Sequence, residues 1–340
     1  MSEQTNPTAC CSRRGFLGLS CSGYLALAWG AAGLGARSAF GQDPGAAAKV
    51  ASESWSYIEK LNDGIYCSIS TPFKAGGGID PTTFSNGGIL AGKERVLVIE
   101  GFNTPTGAAW QGSAAKELVG KHPTHVVLTH FHPDHSNGLA GYQRGAECPA
   151  IISTGKTREL VIEANKAVPA AEANSAFART GTLRAPDTII ADASKPVTVD
   201  LGGRSVRLVP RAGHTPSDVT IELDDPRIVF CGDLFFNGLF PYYGDAIPSV
   251  LRKSMGTLLD EKFDVYVPGH GPRTDAKGVR RYVELLDHVE AAARKAVKDG
   301  TPAAEAWKTY KIPDSMGTWT KFRPDVYRFG FEAWERELKG

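Results

Sequence analysis

Between residues 129 and 135 the chain reads Thr129-His130-Phe131-His132-Pro133-Asp134-His135, which places three imidazoles and a carboxylate within six consecutive positions. Imidazole nitrogen and carboxylate oxygen are the donors that borderline divalent cations select. His130 and His132 alternate, so an extended turn points both to one side, and Pro133 helps fix the bend. Three further candidates follow: His214 in Ala212-Gly213-His214-Thr215-Pro216, Asp233 in Cys231-Gly232-Asp233, and His270 in Pro268-Gly269-His270-Gly271. Each is preceded by glycine, where the backbone is free to bend, and each comes shortly after an apolar run. Five of the eight histidines fall in this set, a concentration that ordinary core or turn roles do not explain. His122, His125 and His288 read instead as residues flanking a strand start and on an amphipathic helix.

The elements that would position these side chains are visible as short apolar or alternating runs bounded by turn residues. They are expected to be strands over 64–69, 88–90, 95–99, 125–128, 150–153, 205–209, 219–223, 228–230 and 265–267. Helical periodicity is clearest over 279–297, where Val279, Tyr282, Val283, Leu285, Leu286 and Val289 share one face. Further helices are expected over 108–119, 157–167, 248–259 and 325–338. The candidate ligands then fall at strand ends or turns, the place where function concentrates on a rigid scaffold.

The order H-x-H-x-D-H, Gly-His, Gly-Asp, Gly-His resembles the metallo-β-lactamase superfamily over residues 55–300. That resemblance implies an α/β (α+β) fold, a four-layer αββα sandwich of two mixed β-sheets flanked by helices, with the metal site along a shared edge. It also implies that His130, His132 and His214 hold one metal, Asp134, His135 and His270 a second, and that Asp233 bridges both. The expected cofactor is two divalent metal ions, Zn2+ first, with Fe or Mn as alternatives. A shared water of lowered pKa would supply the nucleophile, and Asp134 is the catalytic residue expected to orient it and collect its proton. Thr129 and Thr215 are candidates to set imidazole tautomers.

In di-metal β-lactamases of this superfamily the position matched by Asp233 is typically Cys or Ser, which disfavours β-lactamase activity. The resemblance favours an ester, lactone or thioester substrate. Two other readings remain open from exported or redox relatives: a mononuclear iron enzyme of the persulfide dioxygenase type, and a periplasmic accessory protein of an electron-transfer or sulfur-oxidation system. The glycine-rich segment 71–78 and the aromatic stretch from Phe235 to Tyr243 are candidate rims for a small-molecule substrate.

Charge excludes one class of partner: 38 Lys and Arg against 37 Asp and Glu give no electrostatic basis for nucleic acid. Residues 1–41, with Ser12-Arg13-Arg14-Gly15-Phe16-Leu17 before an uncharged run rich in Gly, Ala and Leu, read as a twin-arginine signal peptide. The expected partner is therefore the twin-arginine export machinery, and the expected location is periplasmic. Residues 42–54 read as a flexible leader, and 301–340 as an aromatic-rich C-terminal extension packing on the domain. Among Cys67, Cys148 and Cys231 at most one disulfide can form.

Overall fold

The computed structural model describes residues 47–75, 77–166 and 184–340. The expected signal peptide lies outside the described residues. Lys49–Ser52 (β1), Ser56–Asn62 (β2), Ile65–Ser70 (β3), Gly87–Ala91 (β4) and Val96–Ile99 (β5) form an antiparallel meander in sequence order. Helix Pro105–Val119 (α1) leads to His125–Val127 (β6), then come a short helix Pro133–Ser136 (α2), Ala150–Thr154 (β7), helix Gly155–Lys166 (α3) and Thr188–Ile190 (β8). From β5 to β8 the pairing is parallel, which completes an eight-stranded mixed sheet.

A second sheet is built from Val197–Asp200 (β9), Ser205–Arg211 (β10), Asp218–Asp224 (β11) and Arg227–Phe236 (β12), all antiparallel. Helix Pro248–Glu261 (α4) returns the chain so that Val265–His270 (β13) adds in parallel beside β12. Helices Ala276–Lys298 (α5), Ala303–Thr309 (α6) and Val326–Lys339 (α7) follow. All four residues of β5, antiparallel to β4 and parallel to β6, are buried, as a strand covered on both faces requires.

Three apolar clusters define the layers. Between the sheets, Ile65, Cys67, Leu90, Leu97 and Val127 meet Leu208, Ile221, Phe230 and Val267. Outside the first sheet, Val96, Val98 and Val126 pack with Ala108, Ala114 and Ala115 of α1. Outside the second, Val229 and Tyr266 pack with Leu251, Met255 and Leu258 of α4, Leu286 and Val289 of α5, and Phe331 and Trp334 of α7. The result is the expected αββα sandwich. Helix starts agree with local chemistry: Asp275 accepts from Lys277 N at 2.8 Å and Gly278 N at 3.4 Å at the start of α5.

The expected flexible leader over 42–54 needs correction, because Lys49–Ser52 is strand β1, paired with β2. Its residues are mostly exposed, so main-chain pairing rather than an apolar stripe creates it. The same holds for β9, whose four residues include no buried one. Cys67 and Cys231 are both free and buried, so neither pairs with the other, and burial pushes both thiols up from their ordinary range.

The C-terminal extension is part of the outer core. Trp334 is 2 % exposed and has the Arg294 guanidinium 5.2 Å from its ring centre. Trp334→Ala should therefore lower stability by about 3–5 kcal/mol, the usual cost of emptying a buried aromatic site. A urea midpoint that falls with an unchanged slope is the expected reading.

Candidate metal centre

The strand ends of the two sheets converge on one buried cluster. The loop after β6 and α2 supply His130, His132, Asp134 and His135; the turn between β10 and β11 supplies His214; β12 supplies Asp233, and the last residue of the neighbouring β13 is His270. His130, His135 and His214 have no exposed surface, and Asp134, the most open of the seven, is 8 % exposed. All seven residues singled out in the sequence are thus brought together.

They form two groups that share a carboxylate. His130 Nε2 lies 3.0 Å and His214 Nε2 lies 2.9 Å from His132 Nδ1. Asp233 Oδ2 is 3.4 Å from His214 Nε2 and 3.2 Å from His270 Nε2, while its Oδ1 is 3.1 Å from His135 Nε2. Asp134 Oδ2 completes the second group at 3.2 Å from His270 Nε2 and 3.5 Å from His135 Nε2. The donor atoms within each of the groups His130/His132/His214/Asp233 and Asp134/His135/His270 lie within 4.8 Å of one another.

The nitrogens facing away from the cluster decide what the inward ones present. Thr129 Oγ1 donates to Glu100 Oε1, so at 2.9 Å from His130 Nδ1 it accepts the imidazole proton. His132 Nε2 is held by Asp245 Oδ2 at 2.9 Å, His135 Nδ1 faces Glu100 Oε1 at 3.0 Å, and His270 Nδ1 donates to Phe84 O at 3.1 Å. With their protons outward, His130 Nε2 and His132 Nδ1 turn lone pairs toward each other across 3.0 Å, an arrangement that is repulsive unless a cation lies among them. His135 Nε2 and Asp233 Oδ1, 3.1 Å apart, are both buried without a well-aligned hydrogen bond among the described residues. This donor set fits divalent metal.

Charge divides the groups in the same way. Burial, helped by neighbouring imidazoles, holds His130 well below its ordinary value and His214 down at about 3, so both imidazoles are neutral. Burial would also lower His135 and His270, but Asp233, with Asp134 and, for His135, Glu100, outweighs it and raises His270 to about 9 and His135 well above its usual range. The second group therefore holds protons where a cation would sit.

Two glycines explain how the strands approach so closely. A Cβ on Gly269 would fall 1.9 Å from Asp233 Oδ1, so this residue is required by space rather than by an unusual backbone angle. Gly232 combines φ 53° with Thr129 side-chain atoms 2.7 Å from a would-be Cβ.

Sequence reasoning missed Glu100, Asp245 and Phe84. Glu100 directly follows an apolar strand and precedes a glycine, a setting like that of the ligands reached after their runs, and that signal could have found it. Thr129 has the orienting role considered for it, whereas Thr215 binds Asp218 through Oγ1 at 2.7 Å. Above the cluster lies a cavity of about 250 Å³ with His132, Asp134, Asp233 and His270 on its floor. Its walls are Phe84, Phe236, Leu239, Tyr242 and Phe322, with Arg323 at the side. From the expected aromatic rim Phe236 and Tyr242 reach it, while Phe235 and Tyr243 are core; no described residue of 71–78 lines it.

Relatives agree with this architecture. The chain is 27% identical over 134 residues to the Homo sapiens acyl-coenzyme A thioesterase MBLAC2, covering 38% of this chain and 47% of that one. It is 24% identical over 217 residues to the 2,4-dinitroanisole O-demethylase subunit alpha of Nocardioides sp. (strain JS1661), covering 62% and 60%. The chain thus spans about half to three fifths of the length of these curated relatives. Among solved structures, a metallo-beta-lactamase from Pontibacter korlensis superposes with TM-score 0.55 at 22% identity, over 68% of this chain and 99% of that chain. One from Erythrobacter litoralis gives TM-score 0.55 at 20% identity, over 70% and 99%. Residues 80–270, more than half of the chain, match the family described as Metallo-beta-lactamase superfamily, and the protein belongs to that superfamily.

Proposed function

We propose that the protein is a binuclear metal-dependent hydrolase acting on an ester, lactone or thioester. The observation that carries this reading is Asp233, whose Oδ2 lies between His214 of the first group and His270 of the second while its Oδ1 faces His135. His130, His132 and His214 would hold one divalent ion, Asp134, His135 and His270 the other, with Asp233 between them. Such ions, zinc first among them, would supply Lewis acidity and a water ionised near neutral pH. Asp134 lines the cavity floor while facing His270, which positions its carboxylate to orient the attacking water and take its proton. Tyr242 and Phe236 exclude bulk water beside the reacting carbonyl. The acyl-coenzyme A thioesterase relative supports an acyl substrate. The Ser12–Leu17 motif supports twin-arginine export and a periplasmic setting.

Elemental mass spectrometry on the purified protein should find two divalent ions per chain; a single iron per chain would overturn the binuclear reading. Asp134→Asn should lower kcat by about 10²–10⁴-fold, the usual worth of a positioned base, and cost rate far more than it costs folding, read as a thermal midpoint that shifts little by comparison. Gly269→Ala should displace Asp233 and reduce metal content in a chain whose circular dichroism is intact. Because His135 and His270 carry protons before metal binds, the second zinc equivalent added to stripped protein at pH 7 should release protons. Lowering the pH strengthens that competition, so occupancy of the second group falls before that of the first, whose His130 and His214 are neutral. Equal pH dependence of both equivalents in calorimetric titrations would contradict this assignment.

A further inference from the structure

The cavity walls bring together parts of the chain that lie far apart, and their chemistry is one-sided. Tyr242 sits with its ring centre 5.6 Å from that of His132 on one side and 5.9 Å from that of Phe322 on the other, edge to face in both cases. Behind it Phe329 of α7 lies 4.8 Å away. Across the floor, Phe236 stacks on His270 at 4.9 Å with an interplanar angle of 18°, and Phe84 meets the same imidazole edge-on at 5.5 Å. The aromatic wall therefore begins at the candidate ligands and ends on the C-terminal segment, beyond the residues 80–270 that match the superfamily.

Size and charge narrow what fits. Drug-sized ligands occupy roughly 300–1,000 Å³, and an apolar cavity of about 150 Å³ holds a benzene ring. At about 250 Å³ this cavity has room for one ring and the reacting group beside it. Arg323, the cation in its wall, donates from Nε and Nη2 to Asp325 and has its guanidinium 4.9 Å from the Phe329 ring centre. Its charge is already matched, and Asp245 adds a further carboxylate beside His132. Neither arrangement favours an anionic substituent. Edge and face contacts of the kind this wall offers are the geometry that aromatic pairs prefer.

We propose that the cavity takes a single uncharged aromatic ring of the substrate, and that Phe322 from the C-terminal segment sets its size limit. The inference deepens the hydrolase reading and, for the reaction, rests on it. With an aryl ester, the oxygen of water bonds to the acyl carbon, the acyl C–O bond breaks, and the proton given up by water leaves on the phenol. The products are one carboxylic acid and one phenol, with no oxidant or reductant involved.

The test compares phenyl, 2-naphthyl and 4-biphenylyl acetate, whose leaving groups are of similar acidity, on the metal-replete full chain. The wild-type protein should prefer phenyl over 4-biphenylyl acetate in kcat/KM, and Phe322→Ala should erase about tenfold of that preference, the scale of a pocket-size effect. Phe322→Leu keeps the apolar packing without the ring and should give an intermediate ratio even if the alanine variant folds poorly. Saturation-transfer NMR with phenol, and with cyclohexanol for comparison, reads the slot without turnover. Phenol binding that Phe322→Leu weakens, in a protein that cleaves none of these esters and no phenyl thioester or aryl-substituted lactone, would support the ring slot while overturning the hydrolase reading. Ester cleavage with a ratio unchanged in both variants would overturn the slot and leave the hydrolase standing.

Discussion

A buried carboxylate behind the candidate metal ligands, Glu100, constrains the whole cluster. It is 1 % exposed, accepts a hydrogen bond from the Thr129 hydroxyl, and faces His135 Nδ1, so one side chain fixes two of the five imidazoles, His130 through Thr129 and His135 directly. Burial pushes its carboxyl up, while His135 and Thr129 pull it back toward the charged form. To reach this position the backbone at Glu100 adopts φ 74°, and two residues later Phe102 has φ 57°. Such conformations cost about 1–3 kcal/mol each and persist only where the surroundings enforce them. Here the enforcement comes from β5, buried on both faces, which ends directly before Glu100.

The two sheets act as the jig for this arrangement. The candidate ligands of the H-x-H-x-D-H loop leave the carboxyl end of β6 in the first sheet, whereas Asp233 and His270 come from the parallel neighbours β12 and β13 in the second. Asn86 ties the halves: its side-chain amide donates to the carbonyls of Pro268 and Gly271, which bracket His270, and its amide N donates to Gly269 O. Ser85 Oγ donates to Asp134 O at 2.6 Å. A short segment before β4 thus holds both edges of the site at once, through main-chain carbonyls.

That detail marks the boundary of what sequence conveys. The seven candidate ligands stand out because histidine and aspartate are seldom crowded into strand-end turns, and the long strands and helices stand out because their apolar periodicity is strong. Edge strands β1 and β9 do not, since their residues, Val50 and Thr198 among them, are mostly exposed and main-chain pairing joins the strands to β2 and β10. Phe84 orients His270 with a carbonyl, which every residue possesses, and Asp245 meets His132 across 113 positions of chain. Gly269 shows a subtler gap. Its glycine was legible as a bend, yet the structure gives a different reason, the contact with Asp233.

The placement of Phe322 and Arg323 in the cavity wall has a consequence for how such a protein changes over time. The cavity floor is assembled from residues between His132 and His270, while part of the wall belongs to a tail outside the span matched to the superfamily. Drift in the tail can reshape the opening without touching a single histidine. The candidate metal cluster and the outer part of the cavity wall are therefore free to change separately in this chain, divided along the sequence at its last seventy residues.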